Sequence, residues 1–312
     1  MKLAFFNDFR LGVVRGEQIV DVTSAVQDVP HLGPHDLING VIAKFDTYRE
    51  RIKRAAEQGT GIPLAQAKLR PPLPRPINIV CMAVNYMEDG TRTEPAPINA
   101  FTKSPNAIIG PGDTMELPDV PASVFEGEAE IAVVIGKRAT KVSAADAMSY
   151  VFGYVNFIDG SARGLAPPAG VFYQMKSRDT FAPTGPYIVT ADEIADVNNL
   201  SIKLWNNGVL KQNFNTSDMA HKIPRCIEWV TATHTLEPGD ILATGTNHRG
   251  LSSFMDGDKV ALEVQGLGKL EFNVKDSVQP ARKWLRETRQ DRKEKGAEGP
   301  TPQVSGKYAA KA

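Results

Sequence analysis

The stretch FEGEAEIAVVIG, residues 125–136, sets Glu126, Glu128 and Glu130 two apart, directly before an apolar run. In a β-strand such residues share one face at a rise of ~3.3 Å per residue, so neighbouring carboxylates in the row stand about 6–7 Å apart. Three like charges repel, and burying even one without a partner is costly, whereas a divalent cation compensates two or three together. An all-oxygen donor set suits Mg2+, Mn2+ or Ca2+ better than zinc. A third ligand from elsewhere is offered by FGYVNFIDGSARG, where Asp159 ends another apolar run and Arg163 follows four residues later, a partner for it or for an anionic substrate. A solvent-facing edge strand would also tolerate the acidic row, and Asp159 before Gly-Ser also reads as a turn residue. The apolar run marks a strand buried on both faces, which favours acids at the mouth of a core.

The elements that must position these groups follow from the pattern. Residues 3–22 give short β-like runs broken by Asn-Asp and Arg-Gly turns, a small meander, and residues 36–57 carry apolar side chains at helical spacing. PPLPRP at 71–76 holds four prolines and fits neither helix nor central strand, so it reads as a linker between a small N-terminal α+β domain, 1–70, and a larger domain, 77–276. That larger domain consists mainly of short strands punctuated by Gly and Pro, with Asn207-Gly208 a type I′ hairpin signal. Two helices interrupt it, one N-capped by Ser143 and one opening at Pro224. The class is α+β, mostly β. Residues 277–312 are rich in charge and read as a solvated tail, partly helical and then disordered.

Composition narrows the function classes. The 312 residues are 42% hydrophobic and 23% charged, enough for a full core, and Lys+Arg equals Asp+Glu at 36 each, so no basic field points to nucleic acid. The start lacks a signal-peptide pattern, and no apolar stretch is long enough to span a membrane. Cys81 and Cys226 read as buried thiols, and a cytoplasmic protein is expected.

The ordered motifs EAEIAVVIG, GYVNFIDGSAR, MKSRDTFAPTGPYIV, NTSDM, LEPGDILATGT and GLGKL resemble the catalytic domain of the fumarylacetoacetate hydrolase family over residues 77–276. The resemblance implies a mixed β-sheet roll, a homodimer, and metal ligands at Glu128, Glu130 and Asp159, with Glu126 a neighbouring acid without a ligand role. It also implies substrate or oxyanion contacts from Lys176 and Thr246, the latter in a Gly245-Thr246 dipeptide that contributes to substrate binding. The chemistry implied is divalent-metal-dependent (Mg2+, Mn2+ or Ca2+) hydrolysis of a C–C bond in an acylpyruvate-like 2,4-dioxo acid from ring-fission catabolism.

Three departures stand out. Where members carry NYxxHxxE, this chain reads NYMEDGTRTEP, with Asp89 and Arg92 at the His and Glu positions. Where they carry GTPxG it reads GTNHRG, which makes His248 a candidate base or ligand for a substrate carboxylate. Ala166 stands at the position of a family Gln, with Gln174 as a substitute from another direction. Pocket walls are expected from Tyr86, Phe101, Tyr173 and a lid over residues 164–174, which hints at a hydrophobic distal group on the substrate. Loss of the usual dyad leaves two further readings open: an isomerase, decarboxylase or hydratase of a 2-oxo acid on the same scaffold, and a metal-binding protein without turnover.

Overall fold

A computed structural model of the chain describes residues 1–167, 172–297 and 301–309. The fold is dominated by sheet. Its centre is a ladder of two long antiparallel strands, Val124–Ile135 and Val151–Arg163, with Ala182–Thr190 beside the second. On the other side Ile241–Ala243 pairs with Val124–Ile135, then Ile79–Met82 joins in parallel and Ala100–Lys103 closes that edge. A second, five-stranded sheet runs Val209–Asn215, Ser201–Asn206, Lys259–Val264, Lys269–Asp276 and Thr114–Leu117. Its hairpin turns at Asn207 and Gly208, both at positive φ (51° and 77°), as a type I′ turn requires.

Every residue of Val124–Ile135 is buried, so its two faces must find different partners. Ile131, Val133 and Ile135 join Phe254, Leu262 and Phe272 in the core shared with the second sheet. Ala132 and Val134 join the opposite core, covered by helices that contribute Leu37, Val41 and Ile52. The pleat places Glu126, Glu128 and Glu130 on this same even-numbered face, so one strand face is apolar under the helices and acidic beyond them.

Residues 1–70 are continuous with the central sheet, because Lys2–Phe6 pairs antiparallel with Ala182–Thr190. The helix expected over 36–57 is two, Pro34–Ala43 and Phe45–Gln58, broken at Lys44 (φ −122°). The break lets Phe45 leave the first helix's apolar face and meet Phe152 edge-on, ring centroids 4.8 Å apart. The helix expected after Ser143 shrinks to a 3-10 turn at Ala147–Tyr150, because the long strand begins at Val151. The helix at Pro224 spans Ile223–Thr233.

The tail differs most from expectation. Lys283–Trp284 pairs with Gln303–Ser305, and a helix, Arg289–Glu294, opens with a capping box from Thr288 and Asp291. Residues 298–300 and 310–312 lie outside the described residues. What anchors this segment is a buried cation. Arg282 is fully buried, meets both carboxylate oxygens of Asp276 at 2.7 and 3.0 Å, and donates to the carbonyls of Leu117, Pro118 and Val120. Trp284 adds an edge-on contact to Phe125 at 5.7 Å. The sequence offers Trp284 as an anchor of this segment, and composition described its solvated face but missed Arg282.

Replacing Arg282 with Ala strands Asp276 in the interior, which costs about 3–5 kcal/mol. Denaturant unfolding should show that loss together with new proteolytic cleavage after residue 281; a shift below about 1 kcal/mol would contradict the anchoring role.

Candidate metal centre

The register of the central ladder builds the site. Glu128 lies directly opposite Asp159, and Glu126 opposite Ser161. Glu128, Glu130 and Asp159 each offer a carboxylate oxygen within 4.8 Å of the others, and all three are buried. The spacing expected for an extended row has closed up because Asp159 enters from the neighbouring strand and the side chains converge. The row does not stand at the mouth of the core: Glu126 and Glu130 are 1% exposed.

Cations surround the carboxylates. The Lys176 ammonium bridges Glu128 (2.7 Å) and Asp159. Lys103, buried at the end of Ala100–Lys103, donates to the other oxygen of Asp159 at 2.6 Å and to the Gly160 carbonyl at 3.1 Å. Arg163 meets Glu126 (3.2 Å) and Glu128, and Arg289 of the tail meets Glu126 at 2.8 Å. Burial raises the Glu128 carboxyl, but Lys176, Arg163 and His248 together hold it well below the usual range. Glu130 goes the other way: burial and the neighbouring Asp159 and Glu128 push it well above its ordinary value. Its hydrogen bond from the Gly245 N–H, at 2.6 Å, and the charge of Lys176 oppose that shift without cancelling it. Burial likewise raises Asp159 against the pull of Lys103 and Lys176. A triad of converging oxygens in which two members are driven toward protonation by burial and by one another is a site that a divalent cation fits.

Gly245 reaches Glu130 from a left-handed backbone, φ +88°, and a Cβ there would stand 3.1 Å from the Asn85 Cβ. Thr246 is held to the strand, its hydroxyl donating to the Ala129 carbonyl at 2.8 Å and accepting from Gln212 at 2.9 Å. Gln212 also accepts from the Ala129 N–H and donates to the Asn247 carbonyl, so it fixes the loop to the acidic strand.

His248 finds a carboxylate partner. Its Nδ1 lies 2.6 Å from Oε1 of Glu88, and its backbone N–H donates to the other oxygen at 3.0 Å. An ionised carboxylate only accepts, so the Nδ1 side of the ring donates to Glu88, and Nε2 stands 3.6 Å from Oε1 of Glu128. Glu88 is aimed inward by a turn in which Glu88, Asp89 and Gly90 all have positive φ (58°, 54° and 79°). The two departures from NYxxHxxE meet the same constellation: Asp89 pairs with Arg249 at 3.3 Å, and Arg92 stands 3.8 Å from Glu88.

Tyr173 and Gln174 are not brought to the centre. Tyr173 is 81% exposed, and both line an outer cleft with Asp119 and Arg178. The Gln174 amide donates to the Ala166 carbonyl at 2.6 Å. Residues 168–171 of the expected lid lie outside the described residues. Phe101 does reach the site, its ring centroid 5.2 Å from the Lys176 ammonium and stacked on Phe172, while Tyr86 is fully buried against Phe214. A cavity of about 830 Å³ opens beside His248 and Arg163. Its described walls carry four arginines and a lysine together with Val84 and His248. Lys103, Gln212 and Arg289 were not legible as site residues, because each arrives from a segment remote in sequence with no motif of its own, whereas Glu88 lies in NYMEDGTR beside the changed positions and its pairing with His248 was not foreseen.

Residues 78–275 match the family described as fumarylacetoacetate (FAA) hydrolase, C-terminal, and the chain belongs to that family of metal-dependent enzymes. Particular relatives sharpen the comparison. The chain is similar to the maleylpyruvate hydrolase of Sphingobium sp. SYK-6, solved with manganese(II) and pyruvate, at 36% identity and a TM-score of 0.81, covering 89% of this chain and all of that one. It is also 34% identical to oxaloacetate tautomerase YisK of Bacillus subtilis, over 84% of this chain and 94% of that protein. Maleylpyruvate hydrolase of Aquipseudomonas alcaligenes is 30% identical over 88% of this chain and 99% of its own length. Among the described residues no helix is long and apolar enough to cross a membrane.

Titration calorimetry with Mn2+ separates the acids. Glu126→Gln should weaken binding by about 10-fold through its arginine partners, whereas Glu128→Gln and Glu130→Gln should weaken it far more. Equal losses at all three would contradict the division.

Proposed function

We propose that the chain is a divalent-metal-dependent hydrolase that cleaves a C–C bond in a 2,4-dioxo acid, with Mg2+ or Mn2+ held by Glu128, Glu130 and Asp159. The observation that carries this reading is the His248–Glu88 pair, whose Nε2 stands 3.6 Å from Glu128 of the acidic triad. Family members with NYxxHxxE take both halves of such a pair from one loop; here the carboxylate comes from one loop and the imidazole from another. The pair supports a base for water although both usual positions are changed.

When bound, the cation supplies Lewis-acid stabilisation of negative charge on the carboxylate and 2-oxo end of the substrate. The chain's own groups do the rest. His248 Nε2 accepts a proton from water, and Glu88 holds the imidazole in the tautomer that can do so. The hydroxyl adds to the distal carbonyl carbon, the C–C bond breaks, and its electron pair leaves on the 2-oxo acid fragment as an enolate. A proton returned to that carbon gives a carboxylic acid and a 2-oxo acid. Lys176, buried and positive between Glu128 and Asp159, favours negative charge near it.

A second reading is tautomerisation of a 2-oxo acid, favoured by the similarity to oxaloacetate tautomerase YisK. The same base would then move a proton between carbon and oxygen without breaking the skeleton.

Incubation of a 2,4-dioxo acid with metal-loaded protein separates these readings: hydrolysis releases pyruvate or a related 2-oxo acid, stops with chelator, and consumes the enol absorbance at the same rate. Decay of that absorbance with no carbon loss supports the tautomerase instead. His248→Ala should lower kcat by roughly 10²–10³-fold while Mn2+ affinity stays within about twofold, and unchanged turnover would remove His248 from the base role.

A further inference from the structure

The His248–Glu88 pair is assembled from two loops remote in sequence, so something must hold those loops in register. Glu88 and Asp89 both have positive φ (58° and 54°), a backbone that persists only where its surroundings fix it. One residue of a third segment grips that turn on both sides of Glu88. The Met87 N–H donates to the Asp218 carbonyl at 3.0 Å, and the Asp89 N–H donates to Oδ2 of the Asp218 carboxylate at 3.2 Å. The same Oδ2 accepts from the side-chain amide of Asn247, the residue before His248, at 3.3 Å. Asp218 therefore holds the neighbours of both members of the pair.

Its carboxylate has no task in its own segment. The 3-10 turn Thr216–Asp218 is capped by Asn215, whose side chain accepts from the Ser217 N–H at 2.8 Å. Burial raises the Asp218 carboxyl above its ordinary value; the Asp89 N–H opposes that rise, and the charge of Asp89 adds to it. An acid is thus kept where its charge is disfavoured, between donors from two other loops. Asn247 stands at the proline position of GTPxG, and proline has no side-chain donor, so this contact belongs to the changed loop. The other charged link between the loops, Asp89 with Arg249, is an ion pair at the surface, which holds two loops weakly. Hydrogen bonds to a carboxylate are roughly twice as strong as those between neutral groups.

Resting on the His248 base reading above, we propose that Asp218 is a positioning residue: its carboxylate clamps the Glu88 turn to the Asn247–His248 loop and so sets the His248–Glu88 hydrogen bond.

The test follows the ring N–H of His248 by NMR on the full-length, Mg2+-loaded protein with isotope-labelled histidine, the resonance being assigned by its loss in His248→Ala. In wild type the N–H donated to Glu88 should lie downfield and exchange slowly with water. Asp218→Ala should abolish that signal and lower kcat roughly 10–100-fold, with KM and Mn2+ affinity within about twofold of wild type. Asp218→Asn retains an accepting oxygen and should keep the signal, with kcat within about threefold. Asn247→Asp still accepts from the Arg249 N–H but sets one carboxylate against another, and should lose the signal. Combined with Asp218→Asn it restores donor and acceptor in reverse, and the signal should return. Should Asp218→Ala fail to fold, Asn247→Asp and the double substitution decide. No protected signal in wild type, a signal unchanged in Asp218→Ala and Asn247→Asp, or a loss that the double substitution does not reverse would overturn the proposal. So would a fall in Mn2+ affinity alongside kcat, which marks collapse of the acidic centre. Should wild type turn over no 2,4-dioxo acid, the hydrolase reading fails, and the histidine signal alone decides this one.

Discussion

The structure turns on a strand that is buried along its whole length yet carries three carboxylates on one face. Such charges persist in an interior only when compensated. Lys176, Lys103, Arg163 and Arg289 supply that compensation from four separate segments, and the ladder register that sets Glu128 opposite Asp159 concentrates the demand in one place. Compensation is incomplete, since burial together with Asp159 and Glu128 still drives Glu130 toward its protonated form. The rest of the fold, two cores on either side of the strand and short loops pinned to its end, keeps this arrangement rigid.

The unusual residues of the chain act as a unit. Asp89 and Arg92 replace a His and a Glu of the family pattern, and both bear on the other changed loop: Asp89 meets Arg249 of that loop, and Arg92 approaches Glu88 of its own loop, which holds His248. The tail completes the unit through backbone bonds to the loop carrying His248 and through Arg289 on Glu126. Changes that read as losses along the sequence become a relocated His–carboxylate pair once the loops are folded together.

What could be read in advance follows from how local each signal is. The alternation after Glu126, the apolar run ending at Asp159, and the Asn207-Gly208 turn are properties of adjacent residues, and strand, ligand candidates and hairpin were all legible from them. The pairing of Glu88 with His248 was not, because the inward aim of Glu88 depends on a left-handed turn that nothing in NYMEDG announces. Lys103 and Arg289 were not, because their importance lies in charges more than 50 residues away. Tail composition misled for a related reason: one buried arginine, Arg282, outweighs many exposed charges, and composition does not distinguish them. Tyr173, expected as a pocket wall in the lid, and Gln174, two residues before Lys176, line an outer cleft because a single turn of helix, Phe172–Lys176, points its residues in different directions.

The central claim is that the buried carboxylates form one divalent-cation site. Anomalous scattering at the manganese edge, from crystals of the protein grown with Mn2+, tests it most directly. A single strong peak per chain among Glu128, Glu130 and Asp159, about 2.0–2.3 Å from an oxygen of each, is the predicted result. Absence of a peak there at saturating Mn2+, with the Lys176 ammonium still bridging Glu128 and Asp159, would show that lysine alone neutralises the centre and would contradict the account.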